Sequence, residues 1–466
     1  MQRFRALAEL LRKRIDAGLL VPGDKLPSLR RLASETGCSV VTVYRAYELL
    51  ESQGLCQSRD RSGFYLCDTG KASFHRFAQD MPVMPADNVR ALDESLARPH
   101  FYAQASAATL PADDCVDSEG LNKLLRRALL QTQPSPPHAA DGHPALVAAL
   151  LQRAGRRDLY HEPEQVIVTR SAMESFNLCL DSLRQSCAPV LVESPSFHPI
   201  LESLRHRGIK ALEIYSHPQQ GIDPEQFEHI LKSTDVKLCV LMGCNRFPTG
   251  VTYSRDTLGR LVAAARRHEA IIIENDMTAE LGYGELRSPS LGEFDSDGRV
   301  VQFGGTTSYL SSAFEIGWVM AARHAPQLSA NRHLGATHLP HPAIQGALAE
   351  YLKGRKIERD MRATCRKLIQ RMDQGIALLK DMSAGKVAVS APDGGYMCWL
   401  RGPRGFDSMK LAMTATRNTF AFIPGPFFSP AGAFSNFMAL NFSAPWTPER
   451  IAQLRRLMDR VYGQQE

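Results

Sequence analysis

No lysine occurs between Leu238 and Leu352, a stretch of 115 residues in a chain of 466. That stretch cannot supply a lysine amine for covalent chemistry. The chain also has no apolar run near the ~18 residues that a membrane-spanning helix needs. No signal peptide precedes the first predicted helix, an amphipathic helix over residues 4–17, and we find no internal repeat or low-complexity tract. We therefore expect neither a membrane protein nor an exported one.

The ten cysteines are scattered, with no Cys-x-x-Cys pair and no metal-ligand spacing. This pattern favours reduced thiols in the cytoplasm and predicts no metal site. The composition, 44% hydrophobic and 22% charged, is ordinary for a globular protein, and the length predicts two to four domains.

The net charge of +6 is concentrated near the N-terminus. Residues 1–71 contain 12 Lys and Arg against 8 Asp and Glu, whereas the remainder contains 43 against 41. Contact with DNA phosphates requires such a basic segment. An ordinary solvated surface would carry the same charge, so charge alone does not decide between the two.

The stretch LPSLRRLASETGCSVVTVYRAYELL predicts two short helices around a tight turn. The first helix carries one apolar stripe at helical spacing, formed by Leu29, Leu32 and Ala33. Gly37 can end this helix in the left-handed conformation, and Ser39 can cap the next helix. An ordinary helical hairpin is the alternative for this stretch by itself.

The second helix has two different faces. Its predicted buried positions are Val43, Ala46, Tyr47 and Leu50, and its predicted outer positions are Val41, Thr42, Tyr44 and Arg45. These features predict a helix-turn-helix whose second helix lies in the major groove of DNA. The following run, GLCQSRDRSGFYL, predicts two short strands around a basic tip, which is a wing.

Residues 3–66 resemble the GntR-type winged helix-turn-helix. The matching pieces are the PGDKLPSLRRLA run, the S-x-x-T-V-x-R-A-Y run, and the L-x-x-x-G-L run with its later S-G-F. Several pieces at fixed spacing and in the right order argue against a chance match. We expect contacts to double-stranded DNA from Arg30, Ser39, Thr42, Tyr44, Arg45, Arg61 and Gly63.

From about residue 118 onward, helical stretches alternate with short strands, namely QVIVT, PVLVE, KALEI, VKLCVLM, AIIIE, VVQF and GWVMAA. This alternation predicts a parallel sheet covered by helices on both faces. A long amphipathic helix is predicted over Arg355–Met382, followed by the strands of a smaller α+β domain. The predicted domains are the winged helix (residues 1–67), a linker (68–98), a large domain (99–350) and a small domain (351–466).

The order of these elements resembles the α/β fold-type I aminotransferases. Its pieces are TRSAMESFNL, VESPSFHP, CNRFPTGV, IIIENDMTAELGYG, FGGTTSYLSSAFEIGWV, PDGGYMCWL, PGPFFS and FMALNFS. A GntR-type winged helix-turn-helix joined to such a body is the plan of the MocR family of bacterial regulators. This resemblance spans nearly the whole chain and implies a homodimer and the family cofactor, pyridoxal phosphate.

Several cofactor positions do not hold the residues that the resemblance implies. Ser308 occupies the position of the imine-forming lysine, and a hydroxyl cannot form a Schiff base. Asn275 occupies the position of the aspartate that pairs with the pyridine nitrogen. Asp276 is a poor substitute, because neighbouring residues on a strand point to opposite faces. Met277 and Thr278 stand where a phenol should contact the ring oxygen.

Three further positions differ from the family pattern. Phe247 replaces an asparagine that contacts the ring oxygen, Glu315 an arginine that binds the phosphate, and Ala439 an arginine that holds the substrate carboxylate. Two basic residues, Arg170 and Arg246, lie near the expected cleft. They are candidate contacts to a changed anionic ligand, or else ordinary surface or interface arginines.

We therefore predict a DNA-binding transcriptional regulator, with a degenerate aminotransferase-like domain that dimerises it and possesses no enzyme activity. No cofactor is expected, and a small-molecule effector is compatible with this fold. The alternatives are an active aminotransferase with a vestigial DNA module, and a regulator that holds pyridoxal phosphate without a covalent bond. His198, which follows Phe197, is expected either in the pocket lining or in the core.

Overall fold

The computed structural model describes residues 7–8, 11, 25–36, 38–52, 55–59, 63–66, 118–131, 141–185, 188–217, 221–284, 288–310, 314–335, 339–385, 387–390, 392–403, 405–415 and 418–463. The chain divides into two compact units, Met1–Pro82 and Val83–Glu466. The linker predicted over residues 68–98 lies outside the described residues. Each unit is described by itself below.

Among its described residues, the N-terminal unit has two helices with defined bounds, followed by a two-stranded sheet. Its elements are α1 (Leu29–Thr36), α2 (Val40–Ser52), β1 (Cys56–Arg59) and β2 (Gly63–Leu66). Leu7, Ala8 and Leu11, in the first predicted helix, are also helical. The two strands pair antiparallel, with Arg59 opposite Gly63, so the predicted wing is confirmed. The predicted core positions of both helices are buried, namely Leu32, Ala33, Val43, Ala46, Tyr47 and Leu50.

Local hydrogen bonds fix the start of α2. The Ser39 hydroxyl accepts a hydrogen bond of 3.1 Å from the Thr42 backbone N–H, which confirms the predicted cap. The Tyr47 hydroxyl donates to the Pro27 carbonyl at 2.8 Å and ties α2 to the chain that precedes α1. Gly37, the predicted turn glycine, lies outside the described residues.

The second unit, Val83–Glu466, is called the body here. Its larger part is a mixed sheet with helices packed on it. In chain order its elements are α3 (Ser118–Gln131), α4 (Pro144–Gly155), β3 (Val166–Thr169), α5 (Ala172–Leu183), β4 (Val190–Ser194), α6 (His198–His206), β5 (Ala211–His217), β6 (Gly221–Ile222), α7 (Pro224–Ser233), β7 (Leu238–Leu241), α8 (Arg255–Arg267), β8 (Ile271–Asn275), β9 (Val300–Gly305), β10 (Gly317–Met320), α9 (Ala325–Leu334) and α10 (Pro342–Lys353). The strand order is β3-β10-β9-β8-β7-β4-β5-β6. Every residue of β3, β4, β7 and β9 is buried, which explains their nearly continuous apolar runs.

The prediction of a parallel sheet is wrong for β10, and β6, which was not predicted, is also antiparallel to its neighbour. The pairs from β5 through β4, β7 and β8 to β9 are parallel, but β10 runs antiparallel to both β3 and β9, and β6 antiparallel to β5. Only residues 306–316 connect β9 to β10. A parallel crossover needs a dozen or more residues, usually with a helix, so the chain reverses direction instead.

The C-terminal part of the body is a smaller α+β layer. It contains α11 (Arg355–Met382), β11 (Ala388–Val389), β12 (Met397–Arg401), α12 (Ser408–Thr414), β13 (Phe422–Pro424), β14 (Phe437–Asn441) and α13 (Pro448–Tyr462). The bounds of α11 are those predicted. The four strands form an antiparallel sheet in the order β11-β12-β14-β13. Met438 and Leu440 of β14 pack into the core of this layer, whereas Ala439 belongs to the core of the large sheet.

None of the helices in the described part of the chain combines the length and apolar character that a membrane crossing requires. Among the same residues, no group of three or more His, Cys, Asp or Glu side chains is arranged to hold a metal ion.

Candidate functional site

The outer face of α2 presents the predicted DNA-contacting side chains. Tyr44 is 44% exposed and Arg45 is also exposed. Thr42 is half-buried, and its hydroxyl shares a 2.8 Å hydrogen bond with the Ser39 hydroxyl. Val41, which the list of expected contacts left out, is 63% exposed on the same helix. Three of the expected residues, Thr42, Tyr44 and Arg45, therefore lie on one helix, and a fourth, Ser39, caps its start.

The wing packs against this helix through aromatic rings. The Phe64 ring lies 6.3 Å from the Tyr44 ring in an edge-to-face arrangement and 5.0 Å from the Tyr47 ring. Gly63 is exposed and has φ +99°, a conformation that other residues rarely adopt. The side chain of Arg30 and the whole of Arg61 lie outside the described residues.

The expected cofactor positions of the body meet at one edge of the large sheet. Asn275 ends β8, Ser308 follows β9, Phe247 follows β7 and Phe197 follows β4. These strands are parallel neighbours, so their carboxyl ends lie side by side, which is where open α/β sheets bind ligands. We call this region the cleft.

The cleft is almost filled by side chains. Its cavity has a volume of about 10 Å³ and is lined by Phe197, Met242, Phe247, Asn275, Met277, Thr278, Ser308 and Tyr396. A cavity of this size holds about one water molecule. Pockets for small molecules of drug size measure roughly 300–1,000 Å³.

Ser308, at the lysine position, is engaged with the neighbouring loop. It is 1% exposed, and its hydroxyl donates a hydrogen bond to the Met277 carbonyl. The Met277 backbone N–H donates in turn to Asn275 Oδ1 at 3.1 Å. The Thr278 hydroxyl donates to the Asn245 carbonyl at 3.1 Å. The side chains of Ser308, Asn275 and Thr278 therefore bond to the protein itself.

Asp276 faces away from the cavity, as strand alternation predicts. Its carboxylate accepts two hydrogen bonds from the Arg157 guanidinium, one of them 2.9 Å long. Burial would lower the pKa of Arg157, but the Asp276 charge raises it above its ordinary value. Asp276 is therefore held by an ion pair and does not replace the missing aspartate at position 275.

Glu274, on the other side of Asn275, is also directed away from the cavity. It is fully buried and accepts hydrogen bonds from the Ser290 hydroxyl (2.7 Å), the Leu291 backbone N–H (2.8 Å) and Gln302 Nε2 (2.9 Å). Burial raises the pKa of Glu274 to about 7. Neither acid that flanks Asn275 lines the cavity.

Aromatic rings pack tightly on one side of the cleft. The Phe247 ring lies 5.0 Å from the Phe197 ring and 6.2 Å from the Phe428 ring. His198 is 4% exposed and does not line the cavity, so of its two expected places it occupies the core. Burial lowers the pKa of His198 to about 3, so the ring is neutral at pH 7. Tyr396 is 2% exposed, and its hydroxyl has no hydrogen-bond partner among the described residues.

Arg246 is buried behind the cleft, away from its lining. It is 1% exposed, and its Nε donates to Glu193 Oε2 at 3.1 Å. Its guanidinium lies 4.5 Å from the centre of the Tyr253 ring, and the Tyr253 hydroxyl donates to the same Glu193 oxygen at 2.7 Å. Burial raises the pKa of Glu193, although the Arg246 charge opposes this. Arg246 is thus paired with an acid of the protein itself.

The remaining predicted positions do not line the cavity. Arg170 is exposed, and its backbone N–H donates to Glu174 at 2.7 Å. Glu315 is exposed, and Ala439 is buried in β14. At the helix start where the family cradles phosphate, the Ser171 hydroxyl caps α5 by accepting from the Glu174 backbone N–H at 3.1 Å.

Three residues of the site were not among the predicted site residues. Met242 and Tyr396 line the cavity, and Arg157 holds Asp276. Tyr396 directly follows a Gly-Gly pair within a stretch already matched to the family, so that motif could have identified it. No local pattern marked Met242 or Arg157.

Comparisons with known proteins agree with this two-part organisation. Residues 4–66 match the family described as bacterial regulatory proteins, gntR family. Residues 137–425, more than half of the chain, match the family described as aminotransferase class I and II.

Two proteins of similar sequence cover nearly the whole chain. The uncharacterized HTH-type transcriptional regulator YdcR of Escherichia coli (strain K12) is 28% identical over 470 residues, covering 98% of this chain and 99% of that protein. The HTH-type transcriptional regulator TauR of Rhodobacter capsulatus is 27% identical over 483 residues, covering 97% and 96%.

Solved structures share the fold of the body. The kynurenine aminotransferase of Pyrococcus horikoshii matches with a TM-score of 0.71 at 22% identity, covering 82% of this chain and 96% of that one. At that identity the likeness concerns the fold alone.

Proposed function

This chain is a MocR-type transcriptional regulator, a member of the aminotransferase class I and II family that carries a gntR-family DNA-binding domain, and from this premise we propose how it acts. It binds operator DNA as a homodimer, and its body works without pyridoxal phosphate. We also propose that the protein is cytoplasmic, because its target is genomic DNA.

In this proposal α2 enters the major groove and the wing contacts the flanking backbone. The exposed Arg45 supplies a phosphate or base contact, and the hydroxyls of Ser39 and Thr42 lie at the helix start, where recognition helices approach the bases. Tyr44 faces the groove while its ring rests against the wing. Arg30, Arg61 and Gly63 remain proposed contacts of the flanking surface.

The filled cleft is the observation that supports a body without the cofactor. A cavity of about 10 Å³ does not fit pyridoxal phosphate, and no lysine amine stands at position 308. Asn275 cannot hold a pyridinium proton by charge, and Asp276 is committed to Arg157. The exposed Glu315 would repel a phosphate dianion. These residues support neither transamination nor covalent attachment of the cofactor.

A homodimer is supported by apolar surface on the body. Leu129 and Leu130, which are adjacent on α3, are 52% and 89% exposed. Exposed apolar side chains on a folded surface favour contact with a partner when they cluster. A dimer would also present two recognition helices to two half-sites. One short recognition helix by itself reads too few bases to define a specific site.

We propose that an effector does not bind in the cleft. The cavity there holds about one water molecule, and Arg246 behind it is already paired with Glu193. Arg170 lies on the surface at the start of α5 and is the more accessible of the two candidate anion contacts.

The test is footprinting of the full-length protein on the DNA upstream of its own gene, at several salt concentrations. We expect two protected half-sites and an affinity that falls steeply with salt, because bound phosphates release counterions. The same preparation should show no visible aldimine absorbance after incubation with pyridoxal phosphate. A protein that protects no DNA but absorbs at the aldimine band would be an enzyme and contradict the proposal.

A further inference from the structure

We propose, given the DNA binding proposed above, that Val41 selects the operator by contacting the 5-methyl group of a thymine in the major groove. The base pair that Val41 contacts is thus an A·T pair at a fixed position in each half-site. The other candidate contacts on α2 are polar or aromatic and would add phosphate contacts, hydrogen bonds or stacking.

Val41 points directly away from the core of the N-terminal unit. Successive helical residues are rotated by about 100° around the helix axis. The buried positions of α2, which are Val43, Ala46, Tyr47 and Leu50, therefore define one face, and Val41 falls on the opposite one. Arg45, four residues later, lies on the same outer face and is exposed. A phosphate contact by Arg45 would hold Val41 towards the bases.

No contact among the described residues of the N-terminal unit explains an apolar side chain at this place. Val41 is 63% exposed, and valine stabilises an exposed helix less than alanine does. Tyr44, which is also exposed, has an internal contact because its ring meets the Phe64 ring. Val40 is 44% exposed and lies towards the side of α2 that carries Tyr44. Val41 is thus the apolar group at the centre of the surface that would enter the groove.

The chemistry of the major groove identifies the matching base. Among the four bases, thymine alone presents a methyl group there, and apolar side chains contact it. The valine side chain has two methyl groups and no hydrogen-bonding atom, so it cannot read the donors and acceptors of the other base edges. Since residues at the start of a recognition helix approach the bases most closely, position 41 is well placed for this contact.

The experiment removes one methyl group at a time from the DNA. Duplexes that bind the full-length protein are selected from a random pool, and each thymine of a half-site is replaced by deoxyuridine. For the unmodified protein we expect one position in each half-site where this replacement weakens binding about fourfold, the effect of removing one buried methyl group. Val41→Ala should bind the thymine duplex about fourfold more weakly and should not distinguish deoxyuridine from thymine at that position.

Val40→Ala provides the matched control, because Val40 is 44% exposed on the same helix but lies to the side of the outer face whose centre is Val41. It should keep the full sensitivity to deoxyuridine. Equal helix content of Val41→Ala by circular dichroism would confirm that the variant is folded. If no thymine is sensitive, or if Val41→Ala keeps the sensitivity, the assignment of Val41 is overturned while DNA binding stands. Failure to select any duplex would overturn the proposed DNA binding and this assignment with it.

Discussion

Replacement of Ser308 by lysine would restore the family's imine-forming amine at its original position. The structure predicts that the variant Ser308→Lys is destabilised and does not acquire the cofactor. Ser308 is 1% exposed and lies beside a cavity of about 10 Å³. The longer side chain has no room there unless Phe247, Met277 or their neighbours move.

Two effects set the size of the expected destabilisation. Overpacking of a core costs about 1–3 kcal/mol. A buried lysine must also lose its charge, and full burial lowers a lysine pKa by roughly 3–5 units, at about 1.4 kcal/mol per unit. We therefore expect the free energy of unfolding to fall by at least about 5 kcal/mol at pH 7. The control Ser308→Ala removes the hydrogen bond to the Met277 carbonyl and should cost about 1–2 kcal/mol.

Urea unfolding of the three proteins measures this difference. A buried lysine has a folded-state pKa below its unfolded value, so stability is lost as the pH falls below the unfolded value of about 10.4. Raising the pH from 7 to 9 should therefore restore part of the stability of Ser308→Lys and leave Ser308→Ala unchanged relative to the parent protein. Titration with pyridoxal phosphate, borohydride reduction and mass measurement then detect any adduct.

The reasoning would be refuted if Ser308→Lys were as stable as the parent protein and formed a stoichiometric adduct. The triple variant with Ser308→Lys, Asn275→Asp and Glu315→Arg should bind more pyridoxal phosphate than the single one, because the charges around the cofactor are then restored. Met277 and Phe247 still line the cavity in that variant, so we expect its occupancy to remain incomplete.

Three further outcomes are expected. Arg45→Ala should bind operator DNA more weakly and reduce the slope of log affinity against log salt by about one, and unchanged affinity at every salt concentration would contradict the placement of α2. Sedimentation should show a dimer at micromolar protein concentration. A monomer, both with and without DNA, would contradict the proposed homodimer. His198→Phe should remove a pH dependence of the free energy of unfolding. Burial depresses the pKa of His198 to about 3, below the unfolded value of about 6.5. The stability is therefore fully present above pH 6.5, and below it the free energy of unfolding falls by up to about 1.4 kcal/mol per pH unit. Equal slopes of unfolding free energy between pH 6.5 and 5.5 in the two proteins would show that His198 does not titrate in this way.

Local sequence patterns predicted most of the elements, for identifiable physical reasons. The apolar runs became buried strands because both faces of the large sheet are covered, and α11 has the predicted bounds because its amphipathic period continues unbroken from Arg355 to Met382. The apolar run of β10 does not predict the direction of the strand, because such a run has no direction of its own. The short connection of residues 306–316 is the feature that favours a reversal of the chain.

The state of the cleft could be predicted only in part. Ser308, Asn275, Phe247 and Thr278 were placed by family motifs, and the structure brings all four to one cavity. The closure of that cavity depends on Tyr396, which comes from a distant part of the chain. The pairing of Asp276 likewise requires Arg157, 119 residues away in sequence, and no local pattern reports such a contact.

The most direct test of the central claim is the affinity of the full-length protein for its operator, measured with and without saturating pyridoxal phosphate. The same samples are reduced with borohydride and weighed by mass spectrometry. We predict one salt-dependent affinity that the cofactor leaves unchanged, and an unmodified mass. A stoichiometric adduct on a lysine of the body, together with a changed affinity for DNA, would show a cofactor-responsive regulator and contradict the account.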